Sequence, residues 1–130
     1  MKSETCVVME KRLMKVYFPN GSFHSLRYTD ETLVSEIIEI ALKGRVNPHP
    51  KTYKICYSIR ATRLTETVDK LNLYWLNNTF NMTTVRKLLD NTNHWRFELR
   101  IRLFPCDINC MLIKDRSTFV FLNEQVLSIS

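Results

Sequence analysis

Glycine and proline are scarce in this chain: 130 residues carry 2 of the first and 4 of the second. That scarcity excludes a linker-like or low-complexity chain, and no internal repeat divides it. Gly21 and Gly44 stand too far apart to build a phosphate-cradling loop, which needs several glycines within one turn. Long apolar runs are lacking as well. Every apolar stretch is interrupted by charge well short of the roughly 20 residues that cross a bilayer. Cys6–Met9 is too short for the hydrophobic region of a secretory signal. A cytoplasmic chain is the expectation.

In that compartment the 4 cysteines read as reduced thiols rather than a disulfide framework. Cys106 and Cys110 could form half a zinc site, but a second ligand pair at suitable spacing is missing, so no metal is expected. N-x-S/T triplets begin at Asn20, Asn77 and Asn81. In a cytoplasmic chain they read as turn residues. His24, His49 and His94 are scattered, with no acid and nucleophile beside them in a motif, so neither a catalytic constellation nor a cofactor is expected. The formal charge is +6, yet no block of consecutive Lys and Arg is present. A solvated basic surface is the plain interpretation. A basic domain binding RNA or phospholipid is the competing class.

What is present is patterned. Leu13–Phe18 alternates, with Met14, Val16 and Phe18 on one side, as a half-buried strand does. Asn20-Gly21 marks a hairpin, because both positions tolerate positive φ, and Phe23–Tyr28 returns. Thr32 is placed to cap a helix from about Leu33 to Lys43, whose stripe is Val34, Ile37, Ile38, Ala41 and Leu42 and whose C-cap is Gly44. A loop from Arg45 to Thr52 leads to a third strand, Tyr53–Arg60, with Tyr53, Ile55, Tyr57 and Ile59 facing one way. Thr62–Lys70 is polar, and Leu71–Leu76 is a short fourth strand. After Asn81, Val85–Leu89 forms a short helix. Trp95, Phe97, Leu99, Ile101 and Leu103 then alternate with Arg96, Glu98, Arg100 and Arg102, and Pro105 ends this last strand. The pattern predicts an inward-facing apolar row and three arginines in solvent. Asp115–Thr118 opens a final helix with an apolar stripe of Phe119, Leu122, Val126 and Ile129.

This order predicts an α+β fold, a ubiquitin-like β-grasp in which a mixed sheet packs on one main helix. A conjugated modifier is not expected, since the chain does not close on Gly-Gly.

A more specific likeness sits in particular segments. Trp95-Arg96-Phe97-Glu98-Leu99-Arg100-Ile101-Arg102-Leu103-Phe104-Pro105 resembles the last strand of the first FERM lobe in focal adhesion kinases. Tyr74-Trp75-Leu76 followed by Thr83-Thr84-Val85-Arg86 resembles the segment upstream, and Arg12–Tyr17 the first strand. Asp115–Thr118 and Phe121–Val126 are similar to the opening of the second lobe. The resemblance implies an N-terminal extension over 1–10, a first lobe over 11–105, a connection over 106–114 and the start of a helical second lobe over 115–130. It further implies a non-catalytic, autoregulatory module of a non-receptor tyrosine kinase. Such a module docks the kinase domain and its linker, meets cytoplasmic tails or adhesion proteins, and aids recruitment to membrane adhesion sites. A FERM lobe of a non-kinase cytoskeletal adaptor is the alternative.

Two candidate surfaces follow. The third strand, Tyr53, Lys54, Ile55, Cys56, Tyr57, Ser58, Ile59 and Arg60, is expected at a sheet edge open to an added linker strand, since the last strand would lie between the first and third. Lys15, Arg96, Arg100 and Arg102 form a candidate basic face, for an acidic peptide, a kinase surface or peripheral membrane contact.

Overall fold

The computed structural model describes residues 10–45, 54–65, 72–103 and 115–129. Tyr53, His49, Cys106, Cys110 and the connection over 106–114 lie outside the described residues.

Strands β1 (Arg12–Tyr17) and β2 (Phe23–Tyr28) form the expected hairpin, in register from Arg12↔Tyr28 to Tyr17↔Phe23. Its turn holds Gly21 at φ 89°, where a Cβ would be strained. Helix α1 (Val34–Arg45) crosses the sheet and buries Val34, Ile37, Ile38, Ala41 and Leu42, the stripe read from the sequence. Its caps differ from expectation. Thr32 Oγ1 accepts from the Thr29 amide and closes the preceding turn instead, while the Glu36 carboxylate accepts from the Leu33 amide at 2.8 Å. The freed helix donors Val34 N–H and Ser35 N–H reach the carbonyls of Phe80 and Asn78. Gly44 lies inside the helix rather than capping it. A Cβ there would collide with the His24 imidazole, so glycine is needed for close approach of helix and hairpin.

The third strand is displaced. Lys54–Cys56 is a 3-10 turn, and β3 runs Tyr57–Arg63. Ile55 is therefore exposed and Cys56 buried, the reverse of the expected register, and Thr62 and Arg63 belong to strand rather than loop. Strand β4 (Leu73–Leu76), helix α2 (Met82–Leu88) and strand β5 (Trp95–Ile101) follow. Asn81 caps α2 by accepting from the Thr84 amide, and Asn20 and Asn77 accept from amides two residues ahead. All three triplet asparagines thus have local backbone roles.

The sheet order is β2-β1-β5-β3-β4, with β5 parallel to β1 and antiparallel to β3. β3 is flanked on both sides: Ile59 to Thr62 pair with Leu76 to Leu73 of β4. This corrects the expectation of an open edge for Ile59 and Arg60, while Tyr57 and Ser58 are paired on the β5 side alone. The short fourth strand fills the side that the sequence left vacant.

One core unites the inner face of the sheet with α1 and α2. Trp95, Phe97, Leu99 and Ile101 are buried in it, whereas Leu103 lies beyond the strand end and is exposed. Helix α3 (Arg116–Ile129) closes one end of this core. The Phe121 ring meets Tyr57 edge-on at 5.0 Å and Phe18 at 6.5 Å. Tyr57 O–H donates to Thr118 Oγ1 at 3.2 Å. Gln125 continues β5 with its side chain, accepting from Ile101 N–H at 2.7 Å and donating to Ile101 C=O at 2.9 Å. Of the expected stripe, Leu122 is buried and Phe119 packs partly buried against the core, whereas Val126 is exposed, and the buried face is completed by Thr118 and Phe121. The helix packs back on the lobe.

Two outcomes test this packing. Leu99→Ala, at a fully buried site in the central strand, should cost about 2–5 kcal/mol in urea unfolding. A change within about 0.5 kcal/mol, usual for surface substitutions, would refute the burial. Phe121→Ala should cost about 3–5 kcal/mol and speed amide exchange in α3. Unaltered exchange would show the helix to be held elsewhere.

Candidate functional site

Period-two alternation sends every second side chain to the sheet's other face, and cross-strand register says which ones meet. On that outer face the pairs Tyr17↔Phe23, Lys15↔Ser25 and Leu13↔Arg27 continue through Tyr17↔Glu98 to Arg60↔Glu98 and Thr62↔Arg96. Arg60↔Trp75 completes the row. Three strands separated in sequence therefore bring Lys15, Arg96 and Arg100, predicted basic residues, together with Arg60. Arg102, just past β5, reaches the same face over the Trp75 ring at 5.2 Å.

Glu98 is the only carboxylate among the described strand residues of this face, and it organises the cations. Its Oε1 accepts from Arg60 Nε and Thr62 Oγ1, each at 2.8 Å, and lies 2.8 Å from Arg60 Nη2. Its Oε2 stands 3.6 Å from both Arg96 Nε and Arg100 Nη2. Three guanidinium groups thus converge on one carboxylate.

Aromatic rings hold the cations a second time. Arg96 lies 3.9 Å above the Tyr17 ring, Arg60 5.7 Å from Trp75, and Lys15 4.8 Å from Phe23. Each ring presents its negative face to the charge and keeps the long side chain flat on the sheet. The result is a cationic lattice with fixed side-chain directions.

Arg100 departs from the expected solvent position. It is 6% exposed, and its Nη1 donates to the carbonyls of Leu99 at 2.8 Å and Tyr17 at 3.0 Å. Burial pushes its guanidinium down to about 10, partly offset by Glu98. It therefore stays charged at neutral pH and serves to hold β1 and Glu98 rather than to meet a partner. Arg96 and Arg102 remain accessible, as does Lys15. Sequence reasoning placed Arg60 on the edge strand rather than on this face, and missed Tyr17, Phe23 and Trp75. The Arg60 signal was its place opposite Glu98, visible only once the third strand's register is known.

The proposed edge residues divide between settings. Lys54 and Ile55 are exposed on the 3-10 turn, Cys56, Tyr57 and Ile59 are buried, and Arg60 joins the cationic lattice. Burial raises the Cys56 thiol above its usual range, with Asp115 adding to the shift, so its nucleophilic thiolate is scarce. Among the described residues no cluster of His, Cys, Asp or Glu could hold a metal, and no helix is long and apolar enough to cross a membrane.

A mixed five-stranded sheet closed on one main helix defines a ubiquitin-like lobe. Two structures of the Dictyostelium discoideum myosin VII MyTH4-FERM MF2 domain are similar to it. One, a mutant, has a TM-score of 0.68 at 16% identity, over 90% of this chain and 24% of that chain. The other has a TM-score of 0.63 at 14% identity, over 92% and 24%. The Rasip1 RA domain is also similar, with a TM-score of 0.51 at 17% identity over 82% of this chain and 98% of that one. At these identities the likeness is one of fold, and the chain spans about a quarter of the myosin chains it matches.

A family model described as the FERM N-terminal domain matches residues 12–105, and the chain belongs to that family. The lobe is accordingly a non-catalytic protein-interaction module.

Glu98→Gln should be destabilising by about 3 kcal/mol in urea unfolding, because it leaves Arg100 buried without its counter-charge. An unchanged midpoint would show that Glu98 does not organise the face.

Proposed function

We propose that this lobe docks an acidic protein segment on its cationic outer sheet face, as part of a cytoplasmic FERM module at the cell periphery. The observation that carries this proposal is the arrangement of accessible Arg96, Arg60 and Arg102, held in place by Glu98, Tyr17 and Trp75. Positions fixed in advance reduce the entropy lost on binding, so such a face suits a shaped partner better than a diffuse polyanion.

Within that class, the segments Trp95–Pro105, Tyr74–Leu76 and Thr83–Arg86 support a focal-adhesion-kinase-type module. There the partners are the kinase domain, its linker, and adhesion proteins or cytoplasmic tails. The agreement in fold with the myosin MyTH4-FERM chains favours a second reading, the FERM lobe of a non-kinase cytoskeletal adaptor. Acidic-segment docking is common to both.

Titration calorimetry separates these from a polyanion binder. The chain is titrated with a focal-adhesion-type kinase domain bearing its linker, with an acidic cytoplasmic-tail peptide, with RNA and with anionic vesicles, at low and near-physiological salt. A protein ligand whose binding persists at near-physiological salt is expected. RNA and vesicle binding should collapse, since each neutralised phosphate adds about one unit to the logarithmic salt slope. Binding to RNA or vesicles alone would contradict the proposal. Kinase-domain binding without tail binding selects the kinase-type module, and the converse the adaptor.

A further inference from the structure

β1 and β5 are paired only at Val16↔Phe97 and Tyr17↔Glu98. Arg12 to Lys15 on one strand and Trp95 to Arg96 on the other have no pairing across this boundary, so the strands diverge. The gap is a cleft of about 640 Å³ with Met14, Trp95 and Phe97 among its lining residues. Arg86 of α2, Arg12, Lys15 and Arg96 all line it, together with the rings of Tyr17 and Tyr28, and no carboxylate does.

The acids that balance these cations act from outside. Asp30 lies 2.6 Å from Arg86 Nη2 and 3.5 Å from Arg12 Nε, and the Arg86 hydrogen bond leads in holding its carboxyl below the usual range. Glu98 stands 3.6 Å from Arg96 Nε, beyond hydrogen-bond length. Arg86 Nη1 and Arg96 Nε are left as buried donors with no hydrogen-bond partner among the described residues. Buried donors without acceptors are uncommon and destabilising, and both arginines that carry them line the same cleft.

We propose that this cleft receives a phosphate monoester carried on a side chain of a protein partner, phosphotyrosine being the best fit. The orphan guanidinium donors supply the acceptor-seeking groups that a phosphate dianion satisfies. The rings and apolar floor supply a wall for an aromatic body, which an inositol headgroup, with hydroxyls around its ring, does not match. Arg clusters read phosphorylated segments through the same pairing of charge and hydrogen bonds. This inference rests on the lobe being a protein-interaction module, and it adds a phosphorylation dependence that the sheet face alone does not require.

The test is NMR of the chain with phenyl phosphate, with a phosphotyrosine peptide and its unphosphorylated twin, and with phosphoinositide vesicles. Phenyl phosphate and the phosphopeptide should shift the Arg86 and Arg96 Nε–H signals and the Trp95 indole. Arg86→Gln and Arg96→Gln should each weaken the phosphopeptide about tenfold or more, the loss of a charge-assisted pair. Lys15→Gln, at an exposed position outside the ion-pair network, should weaken it by a smaller factor while leaving the amide spectrum native. Equal binding of the two peptides, undiminished binding by Arg96→Gln, or shifts with vesicles alone would each overturn the inference. Docking of an unphosphorylated acidic partner on the sheet face would survive the first two results and only the third would count against both, so the two proposals fail separately.

Discussion

A strand hydrogen-bonded on both sides is surrounded by neighbours, and its polar side chains must find their partners on the sheet itself. β5 is the central such strand, parallel to β1 and antiparallel to β3. Its inner row of Trp95, Phe97, Leu99 and Ile101 is core. Its outer row carries Glu98 and Arg100 at 7% and 6% exposure, so two opposite charges are withdrawn from water at the centre of the face. Neither is tolerable alone. The convergence of Arg60, Arg96 and Arg100 on Glu98 satisfies that constraint, and it also fixes where the accessible cations stand.

Alternation made the inner row of β5 legible, because one apolar side chain in two over seven residues fits a strand and little else. The same alternation misled for Arg100. A charge on the outer row reads as solvent-facing unless the strand is known to be central and a counter-charge known to lie beside it. The third strand slipped for a related reason: Ile55 and Tyr57 share a parity that suits a strand, yet Lys54–Cys56 winds as a 3-10 turn before the sheet begins. The open edge was misplaced because pairing between Leu73–Leu76 and Ile59–Thr62 is a property of topology, which local pattern does not encode. In α3 the stripe was ambiguous, since Phe119, Phe121, Leu122 and Val126 allow two faces. Gln125, a polar residue completing the end of β5, decides between them.

The candidate basic face was legible as a list of cations but not as a site. Lys15 and Arg96 lie far apart in the chain, and only the parallel β1–β5 pairing makes them neighbours. The aromatic residues that fix the cations have the composition of ordinary core residues. What distinguishes Tyr17, Phe23 and Trp75 is the face on which they stand. The functional class came from residue strings and the family match, whereas the proposed chemistry of docking comes from the register of five strands.

The central claim, that a protein partner is received on the outer sheet face, is tested most directly by a side-chain footprint. The Nε–H signals of Arg60, Arg96 and Arg102 and the Trp75 indole N–H can be followed by NMR as a bound partner is added, beside the amides of α1. The account predicts shifts at the arginines and Trp75 with α1 unaffected. Shifts confined to α1 and α3, with the arginine signals unmoved, would contradict it.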